Sequence, residues 1–161
     1  MIVEASGRMC GCGRQGCLEA YASSSAIMSM VREGLSSGVD TLMKHHPPNL
    51  VITPAEVYLE YAQKGDALAI DILTKAGLYL GIGIANIINI FSPDAVILTG
   101  GLIEAKTYYL QTAMQTAYTT AIKELFEQTT IITTHLSDDI GLIGSAHVAF
   151  QAAEGLLNYG K

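Results

Sequence analysis

Basic side chains are scarce in this chain. Nine Lys and Arg against 15 Asp and Glu leave a net charge of -6 across 161 residues. A domain that neutralises nucleic-acid phosphates normally carries a basic excess, so this balance argues against a nucleic-acid partner. Charge of either sign is sparse, at 15%, while half of the residues are apolar, which excludes global disorder. Cysteine occurs only three times. An odd number does not suit a closed disulfide framework and points to a reducing, cytoplasmic setting. Neither a basic segment nor a long apolar run precedes Gly7, so the opening residues do not read as a secretory signal. No internal repeat, low-complexity tract or linker interrupts the chain, and residues 1–161 are read as a single domain. At this size roughly two-thirds of the unfolded surface can be buried, so no disulfide scaffold is needed.

What is present is apolar. A mean hydropathy of +0.34 leaves a membrane segment or a large partner interface open. The stretch from Ala76 to Pro93 contains no charged residue, close to the lower limit for spanning about 30 Å of hydrocarbon. Yet it carries Asn86, Asn89, Gly77, Gly81 and Gly83, and its stripe Leu68, Ile72, Ala76, Tyr79, Gly83 continues upstream into a charged segment. It is read as the core helix of a soluble protein, with no membrane partner.

Around that helix the pattern alternates. A short strand and a Gly- and Cys-rich loop are expected over residues 1–18, then a helix from Glu19 to about Glu33. Pro47 and Pro48 forbid a helix through the irregular stretch Gly34–Leu50. Thr53, Pro54 and Glu56 form a helix start with a capping box, and Asp66 opens the long apolar helix to about Phe91. A buried strand Ala95–Thr99, a helix from about Lys106 to Gln128, a β-branched strand Thr129–Thr134 and a last helix from Gly141 to about Leu157 complete an α/β alternation. Asp138 and Asp139 read as the cap of that last helix. Two strong strands make a thin sheet.

Three constellations could carry chemistry. In Cys10-Gly11-Cys12-Gly13-Arg14-Gln15-Gly16-Cys17, all three thiols fall within eight residues among flexible glycines. That knuckle suits tetrahedral Zn²⁺, with a fourth ligand to come from His45, His46, His135, His147, water or outside the chain. The alternative is a reduced loop with incidental cysteines; a redox pair is disfavoured because no Cys-x-x-Cys spacing occurs. Next, Ala95–Thr99 ends in Gly100-Gly101, where bare N–H groups at a helix entrance could accept phosphate oxygens. Gly-Gly alone is more often a tight turn, and neither a Walker loop nor a complete Gly-x-Gly-x-x-Gly is present. Last, Glu19 stands two residues after Cys17 at a helix start. It is either a simple N-terminal helix acid or a carboxylate presented to the hydroxyls of a polar ligand. His45 and His46 read as solvated loop residues.

At these residues the chain resembles a family. Cys-Gly-Cys-Gly-Arg-Gln-Gly-Cys-Leu-Glu-Ala-Tyr (10–21) is similar to the zinc-knuckle signature of the ROK group of bacterial sugar kinases and repressors. Asn86-x-x-Asn89-Ile90-Phe91-Ser92-Pro93-Asp94, continuing to Gly100-Gly101, resembles that group's second signature, and residues 139–146 its final helix. The resemblance implies an actin-like ATPase (ribonuclease H-like) fold of which this chain is the large lobe, helix-rich α/β with a small mixed sheet. It implies an enzyme passing the γ-phosphate of ATP, with Mg²⁺, to a hexose, commonly glucose. Cys10, Cys12 and Cys17 would hold a structural Zn²⁺, Glu19 would bond sugar hydroxyls, and Gly100 and Gly101 would lie against the nucleotide. Family members are about twice as long. The amino-terminal lobe with its Asp-x-Gly-x-Thr hairpin, the proton-accepting aspartate and the histidine completing the zinc site have no counterpart here, so the chain is read as a C-terminal-lobe fragment. Met1 then corresponds to an internal methionine of a longer ancestor or to a truncated frame. An isolated fragment is expected to be inactive and to self-associate as a homo-oligomer. A sugar-sensing domain of a ROK repressor, or an interaction module, are the alternatives.

Overall fold

The computed structural model describes residues 1–47, 49–134 and 140–154. In chain order the elements are α1 (Glu19–Ala22), α2 (Ser24–Ser36), α3 (Pro54–Glu56), α4 (Ala67–Phe91), β1 (Ala95–Leu98), α5 (Gln111–Thr120), α6 (Lys123–Gln128), β2 (Thr130–Thr133) and α7 (Ile140–Ala153). Single 3₁₀ turns lie at Leu42–His45 and Gly101–Glu104, and π-type turns at Val57–Ala62 and Lys106–Leu110.

Helix α4 begins where Asp66 stops the preceding turn. One oxygen of this buried carboxylate accepts the Ala69 N–H at 2.8 Å. The other accepts the Thr41 hydroxyl at 2.7 Å and the Leu42 N–H at 2.6 Å. A single side chain therefore caps the helix and anchors the Leu42 turn to it. By length and composition α4 could cross a membrane. Here it is the packing axis, with α1, α2, α5 and the π-type turns laid along it. Ile72, Leu73, Ala76, Ile84 and Ile88 are almost completely buried. Gly77 and Gly81 let α5 approach closely: a Cβ on either would overlap the Tyr109 or Ala113 carbonyl. The amide of Asn89, polar in an apolar run, accepts the Ile122 N–H at 2.8 Å and so satisfies the chain where α5 ends.

Strands β1 and β2 pair in parallel, Ala95 with Thr130 through Leu98 with Thr133. The small sheet is thus parallel among the described residues, not mixed. It is also not buried on both sides. Val96, Leu98 and Ile131 pack onto the Ile84–Ile88 cluster, whereas Ile97 is 61% and Ile132 44% exposed. A short strand has two faces, and only one of these meets a helix layer.

Other expectations shift for local reasons. The helix foreseen from Glu19 breaks at Ser23, which is extended and uses its hydroxyl to cap the Ala26 N–H at 3.1 Å. The helix foreseen over 106–128 divides into a π-type turn, α5 and α6, with a break at Ala121-Ile122. In place of an N-terminal strand, Ile2 and Met9 make isolated bridges to Cys17 and Gln15. The capping box of Thr53 and Glu56 forms as read, with Pro54 in the first turn. His46 is not simply solvated, because its Nδ1 lies 2.7 Å from the Tyr61 hydroxyl. Residues 141–150 of α7 are exposed throughout. His135, Asp138, Asp139 and the tail beyond Glu154 lie outside the described residues.

Candidate functional site

The knuckle is built by backbone bonds before any ligand is considered. Cys10 N–H donates to Arg14 at 2.8 Å, Gly13 N–H to Cys10 at 2.9 Å, and Gly16 N–H to Arg8 at 2.8 Å. The Gly16 carbonyl in turn accepts the N–H groups of Val3 and Glu4. Gly16 has φ +76°, and a Cβ there would overlap the Glu4 carbonyl, so only glycine closes this turn. The result gathers three sulfurs. Those of Cys10, Cys12 and Cys17 lie within 4.8 Å of one another, and those of Cys12 and Cys17 are 3.6 Å apart. Zn–S bonds of about 2.3 Å set tetrahedral sulfurs about 3.8 Å apart, so the cluster fits three corners of such a site. No histidine or carboxylate among the described residues joins the group.

Cys12 and Cys17 are shifted in opposite directions. A hydrogen bond from the Arg14 backbone N–H, followed by those from Cys10 and Cys17, lowers the pKa of Cys12. Cys17 is pushed up to about 11, first by its bond to Cys12 and then by burial.

Cys17 leads into α1. Glu19 opens that helix and is exposed, and among the described residues no hydrogen bond or ion pair fixes its carboxylate. At the other end of α1, the buried Tyr109 hydroxyl donates to the Ala22 carbonyl at 2.8 Å. Burial holds Tyr109 as the neutral phenol, its pKa raised to about 12. This bond spans 87 residues and brings α1 against the segment after β1. There, Gly100 has φ +112° and Gly101 starts a single 3₁₀ turn. The long helix expected to receive Gly-Gly does not begin there. Gly100 and Gly101 line an open cleft of about 420 Å³ together with Ser23, Ser24, Leu80 and Tyr109. Of α1 only its last residue, Ala22, borders this cleft; Glu19 and the three cysteines do not line it.

Arg8, unremarked in the sequence, ties the knuckle to the body. Its guanidinium bonds both carboxylate oxygens of Glu33 and reaches Ser29 at 3.3 Å. Its N–H donates to the Tyr21 hydroxyl at 2.7 Å, and Tyr21 lies against Tyr79 with ring centroids 3.9 Å apart. Tyr79 donates to Glu4 at 2.9 Å and, desolvated, has its pKa raised to about 12. Tyr21 is legible in the sequence as an apolar position of the helix from Glu19 and as the end of the knuckle signature. Nothing in local sequence marked Arg8 or Tyr109, whose partners lie 25 and 87 residues away.

A sequence profile described as the ROK family matches residues 1–152. The chain belongs to the ROK family. It is 28% identical to the glucokinase of Thermotoga maritima over 148 residues, covering 92% of this chain and 47% of that protein. It is 32% identical to the DNA-binding transcriptional dual regulator NagC of Escherichia coli over 121 residues, covering 75% of this chain and 29% of that protein. The ROK hexokinase of Thermus thermophilus has a similar fold, with a TM-score of 0.78 at 24% identity over 96% of this chain and 47% of its own. The Streptomyces griseus ROK glucokinase, solved with glucose and AMPPNP, aligns with a TM-score of 0.67 at 26% identity, over 94% of this chain and 50% of its own. These ROK neighbours carry the actin-like ATPase fold. The chain spans about half the length of the curated glucokinases it matches.

Proposed function

We propose that this chain is the glucokinase-like large lobe of a ROK sugar kinase, contributing to transfer of the ATP γ-phosphate to a hexose, glucose first among them. The carrying observation is the cleft lined by Ala22, the last residue of the helix that follows the cysteine knuckle, and by the Gly100-Gly101 turn. Alignment with glucokinases over more than nine-tenths of the chain supports the same reading. Cys10, Cys12 and Cys17 hold Zn²⁺ as a structural ion, which stiffens the loop ahead of α1. Glu19, acceptor-only when ionised, takes hydrogen bonds from sugar hydroxyls. Gly100 and Gly101 lie against the nucleotide, where the absence of side chains admits its phosphates.

Phosphoryl transfer is positioning plus electrostatic stabilisation, with a base on the acceptor hydroxyl and Mg²⁺ on the phosphates. Among these 161 residues we assign neither the base nor the metal-phosphate clamp, so the chain by itself is expected to show no hexokinase turnover. Exposed Ile97, Ile132, Leu142 and Phe150 favour self-association of the lone chain in a reducing, cytoplasmic setting. Following the melting temperature with glucose and a nonhydrolysable ATP analogue, singly and together, tests the reading. Stabilisation by both ligands supports it, and no response to either sinks it.

Similarity to NagC, 32% identical over 75% of this chain, keeps a second reading open, a sugar-sensing repressor domain. A response to sugar with none to nucleotide selects that alternative.

A further inference from the structure

We propose that the knuckle is a two-state thiol device: without its ion, Cys12 and Cys17 are oxidised by a hydroperoxide to a disulfide, and that disulfide excludes the metal. The disulfide half stands on the cysteine geometry alone, while the exclusion half rests on the zinc reading above.

Three observations carry it. The Cys12 and Cys17 sulfurs already stand 3.6 Å apart, so bonding requires an approach of only about 1.5 Å to the usual S–S length. The cysteines differ in access: Cys12 is exposed and Cys17 half-buried, whereas Cys10 is buried at 7%. The two limbs also differ in constraint. Gly16, next to Cys17, is gripped by Val3, Glu4 and Arg8, and Leu18 N–H donates to Met1 at 3.0 Å. Cys12 sits in a turn closed by the Cys10 N–H to Arg14 and Gly13 N–H to Cys10 bonds, but its flanking Gly11 and Gly13 leave open space around it. Cys12, the exposed sulfur, is therefore the one that meets the oxidant, and Cys17 the one that resolves it.

The chemistry balances. With hydrogen peroxide, the Cys12 sulfur attacks one peroxide oxygen, an S–O bond forms, the O–O bond breaks, and the departing oxygen leaves as water with the thiol proton, giving a sulfenic acid. The Cys17 sulfur then attacks the Cys12 sulfur. An S–S bond forms, the S–O bond breaks, and a second water carries off the Cys17 proton. Two electrons pass from the sulfurs to the peroxide. Two of the three metal ligands are consumed, and buried Cys10 remains a free thiol.

The metal-free 161-residue chain exposed to stoichiometric hydrogen peroxide, alkylated and mapped by peptide mass, is expected to show Cys12 joined to Cys17 with Cys10 alkylated. Cys10→Ser should still form the bond, and Cys12→Ser should not. A disulfide through Cys10, or no intramolecular disulfide in the wild-type chain, overturns the proposal without needing any variant to fold. Zinc binding is measured separately, by metal analysis before oxidation. Failure to take up zinc refutes the zinc reading, while the peptide map still decides the disulfide. In zinc-loaded chain, oxidation should be slowed about tenfold or more and should release the metal to a chromophoric chelator. Retention of zinc by the disulfide form overturns the exclusion.

Discussion

The chain has two glycine-rich turns at its candidate site, and they are built in opposite ways. In the knuckle, Gly16 sits where any Cβ would strike the Glu4 carbonyl, and its own carbonyl and N–H are all engaged. In the second turn, Gly100 and Gly101 have nothing within reach of a Cβ and line an open cleft. One turn, at Gly16, packs protein against itself. The other leaves room. A turn that spends its glycines on closure suits a structural ion, whereas one that leaves backbone bare in a cleft suits a ligand.

Breaking that comparison starts with Gly16→Val. It combines a left-handed backbone position with a backbone clash and should cost about 3 kcal/mol or more, read as a large fall in the urea midpoint. Gly101→Ala should change stability by less than about 0.5 kcal/mol; any larger loss would mean that the second turn is as tightly built as the first. Under the kinase reading, the same variant should weaken the nucleotide-induced rise in melting temperature.

A chelator sharpens the contrast next. Stripping metal should lower the melting temperature of the wild-type chain, while Cys10→Ser should start lower and no longer respond to chelator. Equal chelator responses in the two proteins would contradict metal binding by the knuckle.

Tyr109→Phe should cost about 1 to 2 kcal/mol in chemical denaturation, because it leaves the buried Ala22 carbonyl without its donor. It should also loosen the cleft between Ala22 and the Gly100-Gly101 turn, seen as faster amide exchange at α1. Unchanged exchange would show that the two turns are not joined through this bond.

The smallest effect belongs to Arg8 and Glu33. The Arg8 guanidinium holds the Glu33 carboxyl below its ordinary range. A depressed folded pKa contributes stability that is fully present above the ordinary carboxylate range and is lost as pH falls through the folded value. Glu33 is more than half exposed, so solvent screening limits the contribution to about 0.5 kcal/mol. Glu33→Gln should therefore flatten a shallow acid-side slope in melting temperature, and an identical slope in both proteins would remove the pair as its cause.

How much of this was readable in advance follows the range of the forces involved. The capping box at Thr53, the start of α4 at Asp66 and both strands were legible because caps and β-branched runs act over a few residues. The three cysteines were legible for the same reason, since eight residues contain them all. The break at Ser23 was not: a Ser-Ser-Ser run suits a helix surface or a cap equally, and packing of α1 and α2 on α4 selects the cap. Nor was the half-open sheet. An apolar run signals that a strand seeks burial, but not how many faces find a partner.

Local order alone therefore settled the helix starts, the strand pair and the gathering of three thiols, because capping, β-propensity and short-loop closure need only near neighbours. Tertiary structure decided that Tyr109 would hold Ala22, that Arg8 would bind Glu33, and that Ala22, at the end of the knuckle's helix, would border one cleft with the Gly100 turn. Those contacts join residues far apart in the chain, and no local pattern specifies which distant surface α4 and α5 will bring alongside.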